Sequence, residues 1–97
     1  MEAALADCNT ALKLRPEYFL ILDIRGLVHL KSKNYDAAIA DYNVVLKNDP
    51  DDSIALFGRG VARLRSGDKI GGETEVAGAL KVDPEVADIM AKRGIKP

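Results

Sequence analysis

FLILDIRGLVHLKSKNYDAAIADYNVVLKNDPDD, residues 19–52, holds one Arg-Gly pair and one proline, and both recur at a fixed interval along the chain. Each arginine that precedes a glycine lies 34 residues from the next, at Arg25, Arg59 and Arg93. The prolines keep the same spacing, at Pro16, Pro50 and Pro84. A constant period of this length is the mark of a protein built from structural repeats.

The identities between successive copies support this period. Superposing residues 1–34 on residues 35–68 gives 13 identical positions in 34, among them Ala4/Ala38, Leu12/Leu46 and Arg25/Arg59. The third copy is weaker, but it keeps six residues in phase: Leu80, Lys81, Asp83, Pro84, Arg93 and Gly94. We therefore expect repeated units over residues 19–52 and 53–86, with partial units at 1–18 and 87–97.

Each unit has the hydrophobic pattern of two helices. Residues 4–14 carry apolar side chains on one face, as an amphipathic helix does, and Pro16 should end this helix. Residues 18–32 are apolar almost all round, so this helix must be covered on more than one side. Further helices are predicted over 35–47, 53–65, 70–82 and 85–93, and Gly94 should end the last of them.

Composition excludes several classes of function. The 97 residues include 14 basic and 15 acidic side chains, and this balance does not favour nucleic acid or an anionic membrane. The chain has one cysteine and no apolar run long enough to insert in a membrane. Its first residues lack the features of a signal peptide, so a cytoplasmic location is the default expectation unless a signal precedes Met1.

The unit 19–52 resembles the tetratricopeptide repeat, a 34-residue helix–turn–helix. The residues that carry the resemblance are Leu22, Gly26, His29, Ala38, Tyr42, Val45 and Pro50. The unit 53–86 matches through Leu56, Gly60, Ala79 and Pro84, and residues 87–97 resemble a C-terminal capping helix. The resemblance implies an all-α fold, with about six helices stacked as a right-handed α-solenoid in a single domain, 1–97.

The resemblance also implies a non-catalytic scaffold for protein–protein interaction. In this family the first helix of each unit lines a concave groove that holds a peptide or helix of another protein. Projected onto this chain, that face gives seven candidate partner-binding residues: Leu20, Asp23, Leu27, Ile54, Phe57, Val61 and Arg65.

Self-association is the alternative. Residues 1–14 should expose a face that a first helix would cover in a complete unit. Either the chain continues upstream, or another molecule covers this face. A second copy of the chain could fill both this face and the groove, giving a homodimer.

Catalysis and cofactor binding have little support in the sequence. Cys8 and His29 are the only thiol and imidazole groups, and both fall at positions expected to pack against neighbouring helices. The glycine-rich stretches at 57–60 and 70–72 lack the spacing of phosphate-binding loops. We therefore expect no enzyme activity, no cofactor and no metal.

The repeated Arg-Gly pair is predicted to be structural. Gly26 and Gly60 should allow the two helices of a unit to approach closely, and each arginine has an acid in phase on a second helix. The acids are Asp7, Asp41 and Glu75. Pairing within units would leave Asp7 and Arg93 without partners, whereas pairing between units uses every charge: Asp7–Arg25, Asp41–Arg59 and Glu75–Arg93. The second scheme is preferred because it leaves no charge unpaired at a helix interface.

Overall fold

Six α-helices make up the regular structure of residues 2–15 and 19–97, the part of the chain that the computed structural model describes. They are α1 Glu2–Leu14, α2 Phe19–Lys31, α3 Tyr35–Asn48, α4 Ser53–Ser66, α5 Lys69–Val82 and α6 Val86–Lys92. No strand occurs among these residues. Pro16, which was expected to end the first helix, lies outside the described residues.

The helix ends follow the repeat. The side chain of Asp52 accepts a hydrogen bond from the Ala55 N–H and caps α4, and Asp68 caps α5 in the same way through Gly71. At the end of α4, Gly67 has a left-handed backbone with φ 106°. The equivalent residue after α2 is Lys33, which adopts φ 61° without the freedom of a glycine.

The helices form two layers. The first helices of the units contact one another, α2 with α4 and α4 with α6, whereas α1, α3 and α5 make no comparable contacts among themselves. Each second helix packs instead on first helices: α3 on both α2 and α4, and α5 mainly on α4. The result is an all-α repeat solenoid with α2, α4 and α6 in one layer. This is the layer that the resemblance assigns to the concave side.

The chain turns sharply after α6. Gly94 adopts φ 83°, its N–H bonds to the Ala91 carbonyl, and the Ile95 N–H bonds to the Met90 carbonyl at 2.9 Å. This pair of bonds is a Schellman motif, which brings an apolar residue after the turn against the last helical turn. Ile95 and Met90 are both fully buried. Gly94 therefore ends the last helix, as predicted, and the turn secures α6 to the core.

No helix in the described ranges combines the length and the hydropathy needed to cross a lipid bilayer.

Candidate functional site

Arg25 on α2 forms two parallel hydrogen bonds with Asp41 on α3. Its Nε donates to Oδ2 at 2.8 Å and its Nη2 donates to Oδ1 at 2.6 Å. The Asp41 side chain is only 6% exposed. This bidentate geometry holds the two helices of unit 19–52 together in one orientation.

The next unit repeats the arrangement with an additional arginine. Arg59 Nε donates to Glu75 Oε2 at 2.5 Å, and Arg63 Nη1 donates to Oε1 of the same carboxylate. The preferred scheme of pairs between units is therefore wrong, because Asp41 and Glu75 bind the arginine of their own unit. Among the described residues, the side chains of Asp7 and Arg93 form neither a hydrogen bond nor an ion pair, as the within-unit scheme requires.

The glycine beside each arginine packs against the second helix of its own unit. A Cβ atom on Gly26 would lie 2.9 Å from the ring of Tyr42, which follows Asp41 in the sequence. A Cβ on Gly60 would lie 2.9 Å from Val76, which follows Glu75. The Arg-Gly pair of each complete unit therefore contacts two consecutive residues of that unit's own second helix.

The arginines also reach the preceding unit, through asparagine. Arg25 Nη1 donates to Asn9 Oδ1 at 3.0 Å, and Arg59 Nη1 donates to Asn43 Oδ1 at 2.9 Å. These asparagines are identical and in phase in the sequence, and this repetition is the signal that could have identified them. Each of these two arginines thus links three helices.

The Tyr42 side chain of α3 packs between two first helices. Its ring lies between Gly26 of α2 and Gly58 of α4, where a Cβ would approach to 2.9 Å and 2.5 Å respectively. Tyr42 is fully buried, and its hydroxyl has no hydrogen-bond partner in the described chain. The two glycines therefore provide the space for this ring between adjacent units.

The predicted partner-binding residues divide into three groups. Leu20 is 58% exposed, and Asp23, Leu27 and Ile54 are half-buried on the concave side. Phe57 and Val61 are both 0% exposed, so the expectation that they form an open groove surface is wrong. The reason is that α6 packs on α4, and Phe57 shares one buried cluster with Met90 and Ile95.

Arg65, the seventh predicted residue, is held by the C-terminal turn. Its Nη2 donates to the Lys96 carbonyl at 2.9 Å. A Cβ atom added to Gly94 would lie 3.5 Å from the side chain of Lys31, which belongs to the neighbouring first helix α2. Residues 94–96 therefore lie over the C-terminal ends of α2 and α4, and the open part of the concave side is at the N-terminal ends.

Asp23 gives this open part an unusual electrostatic character. Burial, together with the nearby charge of Asp52, raises the pKa of Asp23 to about 7, while Arg93 opposes the shift. The Asp23 Oδ1 atom is buried with no hydrogen-bond partner in the described chain. The region can therefore change its charge near neutral pH.

Cys8 and His29 occupy packed positions. Cys8 is 7% exposed, and burial raises the pKa of its thiol, which disfavours the reactive thiolate. The His29 side chain is 16% exposed, with Nε2 at 3.8 Å from Asp41 Oδ2. These surroundings agree with the packing roles expected from the sequence.

A groove opens where α1 meets α2. It has a volume of about 420 Å³ and is lined by Ala4, Asp7, Cys8, Ala11, Ile21 and Ile24. Ile24 is 40% exposed there. This is the uncovered face that the sequence predicted for residues 1–14, with two α2 residues added to it.

Comparison with known proteins places this geometry in a family. A family model described as "Tetratricopeptide repeat" matches residues 1–53 and 25–69, which is more than half of the chain. The solved structure titled "MamA RS-1 ArsTM double mutant" is similar, with a TM-score of 0.79 and 25% identity over 96% of this chain. The alignment spans 56% of that protein. The comparison with curated proteins finds no match.

Proposed function

Since this chain belongs to the tetratricopeptide repeat family, in general a non-catalytic scaffold for protein–protein interaction, we propose that it binds another protein on its concave side. The ligand would be a peptide or helix that lies across the N-terminal ends of α2 and α4. The observation that carries this proposal is Leu20, a large apolar side chain left 58% exposed on a first helix. An exposed apolar side chain that forms part of a larger apolar surface is typical of contact sites.

The surroundings of Leu20 indicate the chemistry of the ligand. Leu27 and Ile54 on the same side are half-buried and add apolar area. The carboxylates of Asp23 and Asp52 lie together in this region, and Asp88 is exposed on α6. A segment with apolar residues flanked by lysine or arginine would complement this surface in shape and in charge.

Leu20→Glu tests the proposal, because an exposed position tolerates the change without unfolding the protein. Partners captured by the wild type are identified by mass spectrometry, and the purified partner is titrated against both proteins. We expect Leu20→Glu to weaken binding roughly 10- to 30-fold. Ile70→Glu is the matched control, since Ile70 is 81% exposed on α5, away from the concave layer. Equal binding by the Leu20 variant and the wild type would contradict the proposal.

Self-association is a second candidate function, and the groove between α1 and α2 favours it. A face of this kind is covered by a first helix in the complete units. Sedimentation equilibrium of the purified chain tests this candidate directly. The average mass should rise with concentration, and a constant monomer mass would rule it out.

A further inference from the structure

The groove at α1 is the equivalent of a surface that is covered elsewhere in the molecule. Its α1 residues Ala4, Asp7, Cys8 and Ala11 correspond, 34 positions later, to α3 residues that are at most 4% exposed: Ala38, Asp41, Tyr42 and Val45. In α3 this face is covered by α2. Within the described ranges no first helix stands in the same place on α1.

The complete units define which element would fit this groove. In each of them a first helix supplies an arginine to the acid and a glycine to the following residue. Arg25 binds Asp41 while Gly26 faces Tyr42. The corresponding residues of α1 are Asp7, which is exposed, and Cys8. A first helix that carries Arg-Gly at the same position would therefore satisfy Asp7 and lie over Cys8.

The same chain has a third Arg-Gly pair, and within the described ranges no second helix follows to cover it. Gly26 and Gly60 are buried against second helices, whereas Gly94, in phase with them, is exposed at the end of α6. Arg93 is exposed, and it lacks the asparagine that its counterparts use because position 77 is alanine. Within the chain, the positive charge of Arg93 lowers the pKa of Asp23, but the two side chains do not form an ion pair.

We propose that copies of this chain associate head to tail, with α6 of one copy packed in the α1 groove of the next and Arg93 paired with Asp7. This inference rests on the self-association proposed above and specifies its geometry. The joint would make α6 and α1 into one composite repeat unit, with the Arg–acid pair that units 19–52 and 53–86 already have. Because the two surfaces are different, the contact does not close on itself, and further copies can add at either end.

The short length of α6 limits the strength of the proposed contact between copies. α6 has seven residues and ends before Gly94, whereas α2 and α4 have 13 and 14. A joint made by so short a helix buries little area, so association is expected to be weak and to depend strongly on concentration. Added salt should weaken it further because the pair is exposed.

Two charge reversals test the geometry with the full chain. Asp7→Arg and Arg93→Glu each place like charges at every joint, so each variant alone should associate roughly tenfold more weakly than the wild type. An equimolar mixture of the two should recover association. In such a mixture the glutamate introduced by Arg93→Glu meets the arginine introduced by Asp7→Arg, and the unchanged Arg93 and Asp7 meet at the alternate joints. Sedimentation velocity over a concentration series measures all three samples.

Asp51→Arg is the matched control, since it makes the same change in charge at an exposed position between α3 and α4. It should associate like the wild type, and circular dichroism should show all the proteins equally folded. A monomeric wild type would overturn this inference together with self-association. Self-association that neither reversal weakens, or that the mixture fails to recover, would overturn the head-to-tail geometry alone. Binding of a different partner through Leu20 is independent of every one of these results.

Discussion

At the scale of single residues, the two arginines of the complete units make different sets of contacts. Asp41 has Arg25 as its bidentate partner, whereas Glu75 has both Arg59 and Arg63. We expect Arg25→Met to cost about 2–3 kcal/mol, because it leaves a buried carboxylate without its cation. Arg59→Met should cost less, about 1–2 kcal/mol, since Arg63 still neutralises Glu75. Urea denaturation measures both, and an equal or reversed order would contradict this account.

Asp23 should make the stability of the fold depend on pH. Its pKa in the folded protein is about 7, above the ordinary value of 3.8, so the folded state binds more protons than the unfolded state between these values. The stabilisation is complete below pH 3.8 and is lost as the pH rises through 7. Relative to the wild type, Asp23→Asn should gain roughly 1–2 kcal/mol between about pH 4 and 7.5, after allowance for solvent screening. Denaturation curves at a series of pH values measure this difference, and a constant offset would contradict it.

At the scale of elements, α5 is the helix with the most glycine, and its glycines differ in role. A Cβ on Gly72 would lie 2.7 Å from the Gly60 carbonyl and 2.8 Å from the Leu64 nitrogen, so this glycine permits the close crossing of α4 and α5. A Cβ on Gly78 would meet nothing within 4 Å. Gly78→Ala should therefore stabilise the protein by about 0.5–1 kcal/mol, whereas Gly72→Ala should destabilise it by about 1–3 kcal/mol. Thermal melting distinguishes the two, and shifts of the same sign would refute the assignment.

At the scale of the whole molecule, one buried cluster runs from Leu12 on α1 to Ile95 after α6. A cavity at either end should therefore weaken the entire fold instead of fraying one helix. Ile95→Ala should cost about 2–4 kcal/mol and lower the Tm by roughly 10 °C or more, in a single transition. Far-UV and near-UV circular dichroism should report the same midpoint. Ile70→Ala, at an exposed position, is the control, and two separated transitions in the Ile95 variant would contradict this expectation.

The sequence alone determined the repeat, the helices and the family. Proline and glycine residues such as Pro50 and Gly94 act locally, because their own backbone geometry ends a helix. The spacing of the apolar residues likewise determines which face of a helix is buried. These effects do not depend on distant contacts, so a 34-residue period is enough to recognise them. The open face of α1 could be predicted for the same reason, since a second helix in this repeat always needs a first helix against it.

Only the tertiary structure decided which charges meet and which groove residues remain open. Asp41 is in phase with both Arg25 and Arg59, so the repeat period alone allows either pair; the packing of α3 brings Asp41 within hydrogen-bonding distance of Arg25. The burial of Phe57 likewise depends on α6 and on the turn at Gly94, elements far away in the sequence. Periodicity fixes the position of a residue on its own helix, but exposure and charge pairing depend on the distance between helices, and that distance is set by packing.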